Sequence, residues 1–421
     1  MTEAFVVSDL HLGGGAADPL EDFEQDALFA AFVRSMARPG STLIINGDFV
    51  DFAQLEPLTV EGVPSHLLWP EEASLAKLDT ALAGHPDCFR ALGELAAAGG
   101  EIRVVAGNHD LDFVWDGVQR RLREVLGNPD AAGLSFVIGA TAYEGVHVEH
   151  GYSFTPENCP RRPTEFVHDG PGGRPYLERV WGTDFLLGFF NHLEKQHRYV
   201  DNVKPTIKLA WHALRRRWIP ARAIVALAVA VKRAGIPWDA IPTVLDAGEA
   251  SRAALLESFA DPEWQQLALE VVSDPELGQE VEDAIRALPP EDRGVLLGGT
   301  PVEIGEPMEA QGAEVLGVFR NTTREERAAR RALKQPGTTH VVYGHTHDIV
   351  DGGLERRWFN PGSWIPHLDL KDAEVRERVR AYGWSVELVS DHSLYRTNAR
   401  AVRIVPGAGP GGPLVELVSL D

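Results

Sequence analysis

The stretch THVVYGHTH occupies residues 339–347 and joins a short apolar run to a pair of histidines. The apolar run stops at Gly344, and His345 and His347 follow it two positions apart. In an extended chain, residues i and i+2 point to the same side, so both imidazoles would face one place. Paired imidazoles suit a divalent transition metal. The pattern predicts a β-strand that ends at a metal site, although a strand end with two surface histidines would look the same.

Two stretches in the first fifty residues have the same design. The run AFVVS at residues 4–8 leads directly into Asp9 and His11, which again stand two positions apart. The run TLIIN at residues 42–46 leads into Gly47 and Asp48, with Asp51 three positions later. In open α/β sheets, ligands bind at the carboxyl ends of the strands. These two runs therefore predict parallel strands that deliver carboxylate and imidazole groups to one edge.

Two further stretches complete the set. The run IRVVA at residues 102–106 leads into Asn108, His109 and Asp110, and a run near residues 146–148 leads into His150. Helical spacing separates the first strands, over residues 22–38 and 72–99, the second of these with a break near Pro86. The order strand, helix, strand, helix, strand predicts an α/β fold. Each polar residue also has a structural explanation as a cap, turn or surface group, but five coincidences of this kind favour a shared site.

Together the five stretches resemble the motifs of the calcineurin-like metallophosphoesterases, and they occur in the family's order. The resemblance covers residues 1–155 and roughly 338–421. It implies a four-layer α-β-β-α sandwich, discontinuous in sequence, that holds two divalent metal ions. It also implies one ligand set made of Asp9, His11 and His347, a second made of Asn108, His150 and His345, and Asp48 as the bridge between them.

This resemblance implies a phosphohydrolase that cleaves a phosphomonoester, phosphodiester or diphosphate bond with a metal-bridging hydroxide. A bridging carboxylate offsets the repulsion between two dications, and such ions polarise phosphoryl oxygens. The nitrogen and oxygen donors, without thiolate, suit Mn, Fe or Zn, of which we favour Mn. The family pattern makes His109 a proton or hydrogen-bond donor to the leaving group, with Asp110 as the group that orients it. Asp51 is expected to support the site without binding metal.

The amino-acid composition limits the kinds of partner that the protein is expected to bind. The 421 residues include 40 Lys and Arg and 62 Asp and Glu, a formal charge of -22, which disfavours broad nucleic-acid binding. Two cysteines cannot define a disulfide framework. The N-terminus shows no signal-peptide pattern, and the longest apolar run, at 223–231, is too short for a membrane helix. We expect a cytoplasmic protein whose partner is a small-molecule phosphoester.

Residues 156–337 separate the fourth motif from the fifth, which is far longer than an ordinary loop. Several segments have helical spacing, among them 176–199, 205–218, 221–233 and 323–333, so we predict a helical cap domain. Residues 194–233 carry ten Lys and Arg against two acids, whereas residues 239–309 carry seventeen acids against three arginines. The basic part either pairs with acidic surface or binds a phosphate through Arg215, Arg216 and Arg217. Its apolar residues would also allow contact with a membrane surface.

The remaining predictions concern the C-terminal part and the substrate. The WFNPGSW turn at residues 358–364 places Asn360 and Ser363 where they could touch phosphate, although a tight turn packed by tryptophans explains it equally simply. Closing strands are predicted at 384–389, 401–405 and 414–418. The substrate is expected to be a small or amphipathic organophosphate. The alternatives are a nuclease of the same superfamily, or a catalytically inactive binding scaffold.

Overall fold

The computed structural model describes residues 3–64, 67–127, 133–154, 158–160, 165–180, 182–183, 186–187, 191–195, 198–199, 202–204, 321–369, 372–382, 391–409 and 412–420. The chain divides into two compact units. The first comprises Met1–Thr183, Asn321–Pro366 and Arg396–Asp421, and the second comprises Asp184–Arg320 and His367–Tyr395. The predicted domain boundaries, at 155/156 and 337/338, stay predictions.

In the first 137 residues the described strands alternate with helices, as the sequence predicts for an α/β fold. The strands are β1 (Ala4–Val7), β2 (Thr42–Asn46), β3 (Glu101–Val105), β4 (Leu134–Val137), β5 (Ala140–Tyr143), β6 (Val146–Glu149), β7 (Val167–Asp169), β8 (Pro175–Leu177), β9 (Val203–Lys204), β10 (His340–Val342), β11 (Val350–Gly352), β12 (Trp358–Asn360), β13 (Leu368–Asp369), β14 (Arg400–Gly409) and β15 (Gly412–Ser419). The helices are α1 (Asp26–Ser35), α2 (Glu71–Gly84), α3 (Pro86–Ala97), α4 (Asp116–Val125), α5 (Asn191–Glu194), α6 (Asn321–Ala332), α7 (Gly353–Arg356) and α8 (Ala373–Tyr382). Short 3-10 turns occupy Leu111–Val114, Tyr152–Phe154, Pro171–Gly173 and His392–Leu394.

Two larger sheets organise the first unit. The six-stranded sheet has the order β15-β14-β1-β2-β3-β4, in which β1 to β4 are parallel and β14 pairs antiparallel with β1. The five-stranded sheet has the order β11-β12-β10-β6-β5, with β6, β10 and β12 parallel. The strands that precede the predicted ligands are therefore parallel neighbours within each sheet, and their carboxyl ends lie at one edge.

Apolar side chains explain how these elements pack. One buried cluster joins Val6 and Ile44 of the six-stranded sheet to Val148, Val342 and Phe359 of the five-stranded sheet. Alternation along a strand sends every second side chain to the opposite face. The opposite face of β1 accordingly contacts α1, where the rings of Phe5 and Phe32 meet edge to face at 5.5 Å.

Helix α6 covers the outer face of the five-stranded sheet. Its residues Ala328, Ala329 and Ala332 are buried against Val341, Tyr343 and Trp358. The spacing of these alanines is that of one helical face, and their small size lets the helix approach the sheet closely.

Several predicted elements appear with small shifts of their ends. Residues 72–99 form α2 and α3, with Pro86 at the start of the second helix, where its missing N–H costs nothing. The prediction of a helix over 176–199 is wrong at its start. Tyr176 and Leu177 instead belong to β8, which pairs antiparallel with β7. Of the helices predicted in the cap, 205–218 and 221–233 lie outside the described residues, as does the strand at 384–389. No helix in the described part of the chain is both long and apolar enough to cross a membrane.

Candidate metal centre

The polar residues that follow the strands share an unusual backbone conformation. Asp9, His11, Asp48, His345 and His347 have φ values of 56°, 53°, 49°, 69° and 57°. Residues other than glycine rarely adopt this left-handed region, at a cost of about 1–3 kcal/mol each. Such strain persists only where the surrounding structure imposes it, and it concentrates at functional sites. The five residues therefore belong to loops that are held in place for their side chains.

The first group of side chains that can hold a metal ion is Asp9, His11 and His347. The Nε2 atom of His347 lies 3.3 Å from Asp9 Oδ1 and 3.3 Å from His11 Nε2. Asp9 is fully buried and His11 is nearly so. One carboxylate oxygen and two imidazole nitrogens thus converge on a common point, although residues 9 and 347 stand at opposite ends of the chain.

The second such group is Asp48, His150 and His345. The Nε2 atom of His150 lies 3.1 Å from Asp48 Oδ2, and the rings of His150 and His345 lie 5.3 Å apart. Asp48 Oδ2 is also 3.8 Å from Nε2 of His11, in the first group. Asp48 therefore lies between the two groups, where one carboxylate reaches both. A third combination, His11, Asp48 and His109, overlaps with these two.

Asn108 supplies a donor of the right kind beside these groups. Its Oδ1 atom is buried and, among the described residues, has no hydrogen-bond partner. A buried amide oxygen without a partner is costly, so its retention calls for a ligand. The backbone N–H of the next residue, His109, donates to Asp48 Oδ1 at 2.9 Å and ties this loop to the shared carboxylate. The donor set therefore fits divalent metal ions.

A ring of supporting hydrogen bonds orients the imidazoles. Nδ1 of His11 lies 2.8 Å from Asp51 Oδ2, and Nδ1 of His150 lies 2.7 Å from the carbonyl oxygen of Asn46. When a carboxylate or carbonyl accepts from one ring nitrogen, the other nitrogen is fixed as a ligand and its basicity rises. Both Nε2 atoms consequently point towards Asp48.

Two of the glycines in the motifs are explained by neighbouring side chains that lie too close to leave room for a Cβ atom. A Cβ at Gly107 would overlap with the carboxylate of Asp48, and a Cβ at Gly344 would overlap with the hydroxyl of Ser8. Neither neighbour is free to withdraw, because Asp48 accepts a backbone hydrogen bond and Ser8 donates to the carbonyl of Asn46 at 2.7 Å. The two loops can pack this tightly around the site only without a side chain at these positions.

The electrostatics favour cations. Burial alone would raise the pKa of Asp9, but His347 and His150 hold it at about 2. Burial likewise opposes ionisation of Asp48, yet His150 and His109 bring its pKa well below the usual range. Burial, together with the nearby His150, lowers the pKa of His345 to about 3, so this imidazole is neutral at pH 7. Although burial opposes it, Asp48 raises the pKa of His150 to about 9, so a metal at this imidazole would displace a proton. The ionised carboxylates and the neutral His345 already have the protonation states in which they bind metal.

The structure corrects the role predicted for Asp110. The carboxylate beside the His109 ring is that of Asp51, 2.9 Å from Nδ1, whereas Asp110 accepts from the backbone N–H groups of Phe49 (2.7 Å) and Gly107 (2.5 Å). Asp110 thus ties the loop after β3 to the loop after β2 through backbone N–H groups, and Asp51 is the carboxylate that contacts the His109 ring. Asp51 contacts both His11 and His109.

The structure also corrects the role predicted for Asn360. The residue is fully buried, and its side-chain amide is occupied on both sides. Nδ2 donates to the carbonyl of Gly344 at 3.0 Å, and Oδ1 accepts from the N–H of Gly362 at 2.9 Å. Asn360 supports the histidine loop and does not reach a substrate. Ser363 is buried as well and caps Ile365 N–H at 3.1 Å. Arg215, Arg216 and Arg217 lie outside the described residues.

Some residues at the site were not predicted. A cavity of about 10 Å³, room for roughly one water molecule, lies beside Asn108 and His109. Its wall includes Trp69, Asp112 and Glu178. Glu325 lies beneath the histidine loop, with Oε1 3.2 Å from Thr346 Oγ1. No sequence motif marks these positions, because they reach the site from helices and loops far away in the chain.

Comparison with models of protein families and with curated proteins found no match for this chain.

Proposed function

We propose that this protein is a metal-dependent phosphohydrolase of the calcineurin-like type, with a dinuclear centre built on Asp48. The single observation that carries the proposal is the position of Asp48, 3.1 Å from His150 Nε2 in one donor group and 3.8 Å from His11 Nε2 in the other. A carboxylate shared by two sets of nitrogen and oxygen donors is the arrangement that two-metal hydrolases require. The order helix, sheet, sheet, helix in the first unit agrees with the sandwich that the resemblance implies.

In this proposal Asp9, His11 and His347 hold one divalent ion, Asn108, His150 and His345 hold the other, and Asp48 contacts both. Two such ions, when bound, polarise phosphoryl oxygens and make a water molecule acidic enough to attack phosphorus near neutral pH. Mn, Fe and Zn all suit the donor set, and we propose Mn.

The chain's own contribution to bond cleavage is assigned to His109. Asp51 holds its Nδ1 atom at 2.9 Å, which fixes the ring and leaves Nε2 for a substrate. The side chain is about one-fifth exposed and lines the small cavity. His109 would donate a proton or hydrogen bond to the leaving-group oxygen, a role worth about 10²–10⁴-fold in rate.

The charge of the cavity wall bears on the substrate. Among the described residues that line it, Asp112 and Glu178 are acidic and none is lysine or arginine. Lys77 lies nearby, but its Nζ atom donates to the carbonyl of Phe52 at 2.6 Å and lies over the Trp69 ring. Both acids have basic neighbours, because Lys77 lies near Asp112 and His168 Nε2 lies 3.0 Å from Glu178 Oε2, so the wall does not by itself select a substrate. The formal charge of -22 favours a small or amphipathic organophosphate over a nucleic-acid strand.

The test is hydrolysis by the full chain loaded with Mn²⁺. The substrates are p-nitrophenyl phosphate, bis-p-nitrophenyl phosphate and single-stranded DNA, with chelator-treated protein as the control. We expect metal-dependent release of p-nitrophenol from at least one chromogenic ester and no cleavage of DNA. Cleavage of DNA would favour the nuclease. Fewer than one ion bound per chain after loading with Mn²⁺ or Zn²⁺ would favour the inactive scaffold.

A further inference from the structure

A buried carboxyl group outside every motif lies beneath the His345-Thr346-His347 loop. Glu325, on α6, is only 2% exposed. Its Oε1 atom accepts from Thr346 Oγ1 at 3.2 Å and lies 3.5 Å from Asn360 Nδ2. The same Nδ2 donates to the carbonyl oxygen of Gly344 at 3.0 Å. One carboxyl oxygen thus contacts both Thr346, in the middle of the loop, and Asn360, which holds Gly344 at its start.

The same group lies close to the turn that follows His150. A Cβ added at Gly151 would lie 3.9 Å from Glu325 Oε1. The carboxyl group is therefore adjacent to both backbone segments that carry the proposed histidine ligands of the second metal. Helix α6 is anchored there independently by its buried alanines, so it offers a fixed point for both segments.

The loop needs such a fixed point. His345 and His347 both have left-handed backbone conformations, which persist only when surrounding contacts impose them. Thr346, between them, is 8% exposed and turns its hydroxyl down onto Glu325. The backbone N–H of Thr346 donates to the carbonyl of Gly344 at 2.8 Å, which closes the turn. The contact with Glu325 is the point at which this turn is tied to a helix.

The second oxygen of Glu325 argues against a role in packing alone. Oε2 is buried and has no hydrogen-bond partner among the described residues. An apolar side chain of similar size would avoid this cost. Burial raises the pKa of Glu325 well above its usual range. The feature of Glu325 that the site uses is therefore the hydrogen-bond acceptor Oε1.

We infer that Glu325 is a positioning residue for the metal centre: through Thr346 and Asn360 it holds His345 and His347 in their ligand geometry. The inference rests on the proposed function, because it requires that these histidines bind metal. It gives α6, at the end of the long segment between the fourth and fifth motifs, a role in the metal centre. None of the five motifs includes Glu325.

The experiment compares Glu325→Ala, Glu325→Gln and Glu326→Ala in the full chain. Glu326 is the matched control, because it is the next residue on the same helix and its carboxylate pairs with Arg330 at 2.6 Å on the surface. The readouts are the dissociation constant for Mn²⁺, measured by titration, and the visible absorption spectrum of the Co²⁺-loaded protein, which reports ligand geometry.

We expect Glu325→Ala to weaken Mn²⁺ binding by about 10–100-fold and to change the Co²⁺ spectrum, as loss of an outer support does at other metal sites. Glu325→Gln keeps an oxygen acceptor for Thr346 and should restore both readouts, while Glu326→Ala should leave them unchanged. The inference would be overturned if Glu325→Ala had the same Mn²⁺ affinity and the same Co²⁺ spectrum as the wild type. It would also be overturned by a Glu325→Gln variant as impaired as Glu325→Ala, because then the acceptor is not what matters.

Thr346→Val provides an independent arm should Glu325→Ala fail to fold. It removes the hydroxyl while keeping the branched shape, and it should weaken Mn²⁺ binding to a similar extent. The double variant should lose less than the sum of the two single losses, since the two side chains share the hydrogen bond between Thr346 and Glu325. Full additivity would overturn the inference. A wild-type chain that binds no Mn²⁺ overturns this inference and the dinuclear centre together, whereas one that binds Mn²⁺ but hydrolyses nothing overturns only the hydrolase.

Discussion

Two buried clusters in the first unit contain the same side-chain types but use them differently. In the cluster around His85, Nδ1 lies 2.9 Å from Asp26 Oδ1 and Nε2 lies 2.9 Å from Glu21 Oε2, so carboxylates engage both ring nitrogens. In the candidate metal centre, the described carboxylate within hydrogen-bond distance of His11 is that of Asp51, 2.8 Å from Nδ1, whereas Asp48 Oδ2 lies 3.8 Å from Nε2. The Nε2 atom of His11 lies 3.3 Å from Nε2 of His347.

This difference separates a structural cluster from a candidate metal site. Around His85 each buried polar group has a complementary partner within the chain, which is how proteins offset the cost of burying charge. In the candidate metal centre the nitrogens converge on one another and on Asp48, and the oxygen of Asn108 has no hydrogen-bond partner among the described residues. Groups that face each other in this way are complementary to a cation. Four variants test this distinction, beginning with the one that should reduce activity most.

Asp48→Asn should have the largest effect. The amide keeps the shape but loses the charge that two cations would share, and polarisation by the ions is worth several kcal/mol. We expect turnover of the chromogenic ester to fall by about 10³-fold or more, with less than the wild-type amount of bound metal. The measurements are kcat and metal content. Asp87→Asn, at an exposed ion pair with Arg90, is the control and should behave as the wild type. Normal activity in Asp48→Asn would remove the basis of the proposed function.

His109→Ala should lower turnover while the metal stays bound. We expect kcat to fall by about 10²–10⁴-fold, the range for loss of a general acid. His147→Ala is a control of similar exposure, 15% against 19%, and its ring likewise contacts a carboxylate, that of Glu149. Metal analysis accompanies the kinetics. A His109→Ala protein that has lost metal would identify His109 as a ligand, in line with its overlap with His11 and Asp48.

Asp51→Asn should have an intermediate effect. The carboxylate supports His11 at 2.8 Å and His109 at 2.9 Å, so the amide weakens a ligand and a proposed proton donor at once. Loss of such an outer support costs about 10–100-fold in metal affinity or activity. Titration with Mn²⁺ and steady-state kinetics should both show the change. Asp110→Asn then tests the corrected assignment, because Asp110 contacts backbone only; if it impaired His109 more than Asp51→Asn did, the correction would fail.

His85→Asn should leave activity nearly unchanged and alter stability instead. Burial opposes protonation of His85, but Asp26 and Glu21 raise its pKa to about 9. Because the folded-state pKa lies above the unfolded value of about 6.5, the stabilisation is fully present below pH 6.5 and is lost as pH rises through about 9.

The expected size of that stabilisation is about 2–3 kcal/mol at low pH. It is measured as the difference in unfolding free energy between the wild type and His85→Asn, by denaturant titration at pH 6 and at pH 9.5. Cys88, whose Sγ lies 3.4 Å from Asp26, is present in both proteins and does not affect the difference. A difference that stays constant between the two pH values would show that His85 does not carry the charge, and the contrast between the clusters would weaken.

Local sequence was enough to place the strands and to name the residues that follow them. Apolar β-branched runs such as 42–46 end abruptly at polar residues, and the carboxyl ends of parallel strands share one edge of a sheet. Helix boundaries followed from breakers such as Pro86. The failure at Tyr176 shows the limit, because a short strand pairs with a distant partner that periodicity within one segment does not reveal.

Patterns of neighbouring residues are sufficient to give the order of the motif strands along the chain and the chemical type of each group that follows them. Which side chain supports which other side chain depends on the folded structure. It placed Asp51 rather than Asp110 against His109, turned Asn360 inwards and brought Glu325 beneath Thr346. Those choices depend on hydrogen-bond directions between segments that meet through packing, and distance along the chain carries no information about direction in space.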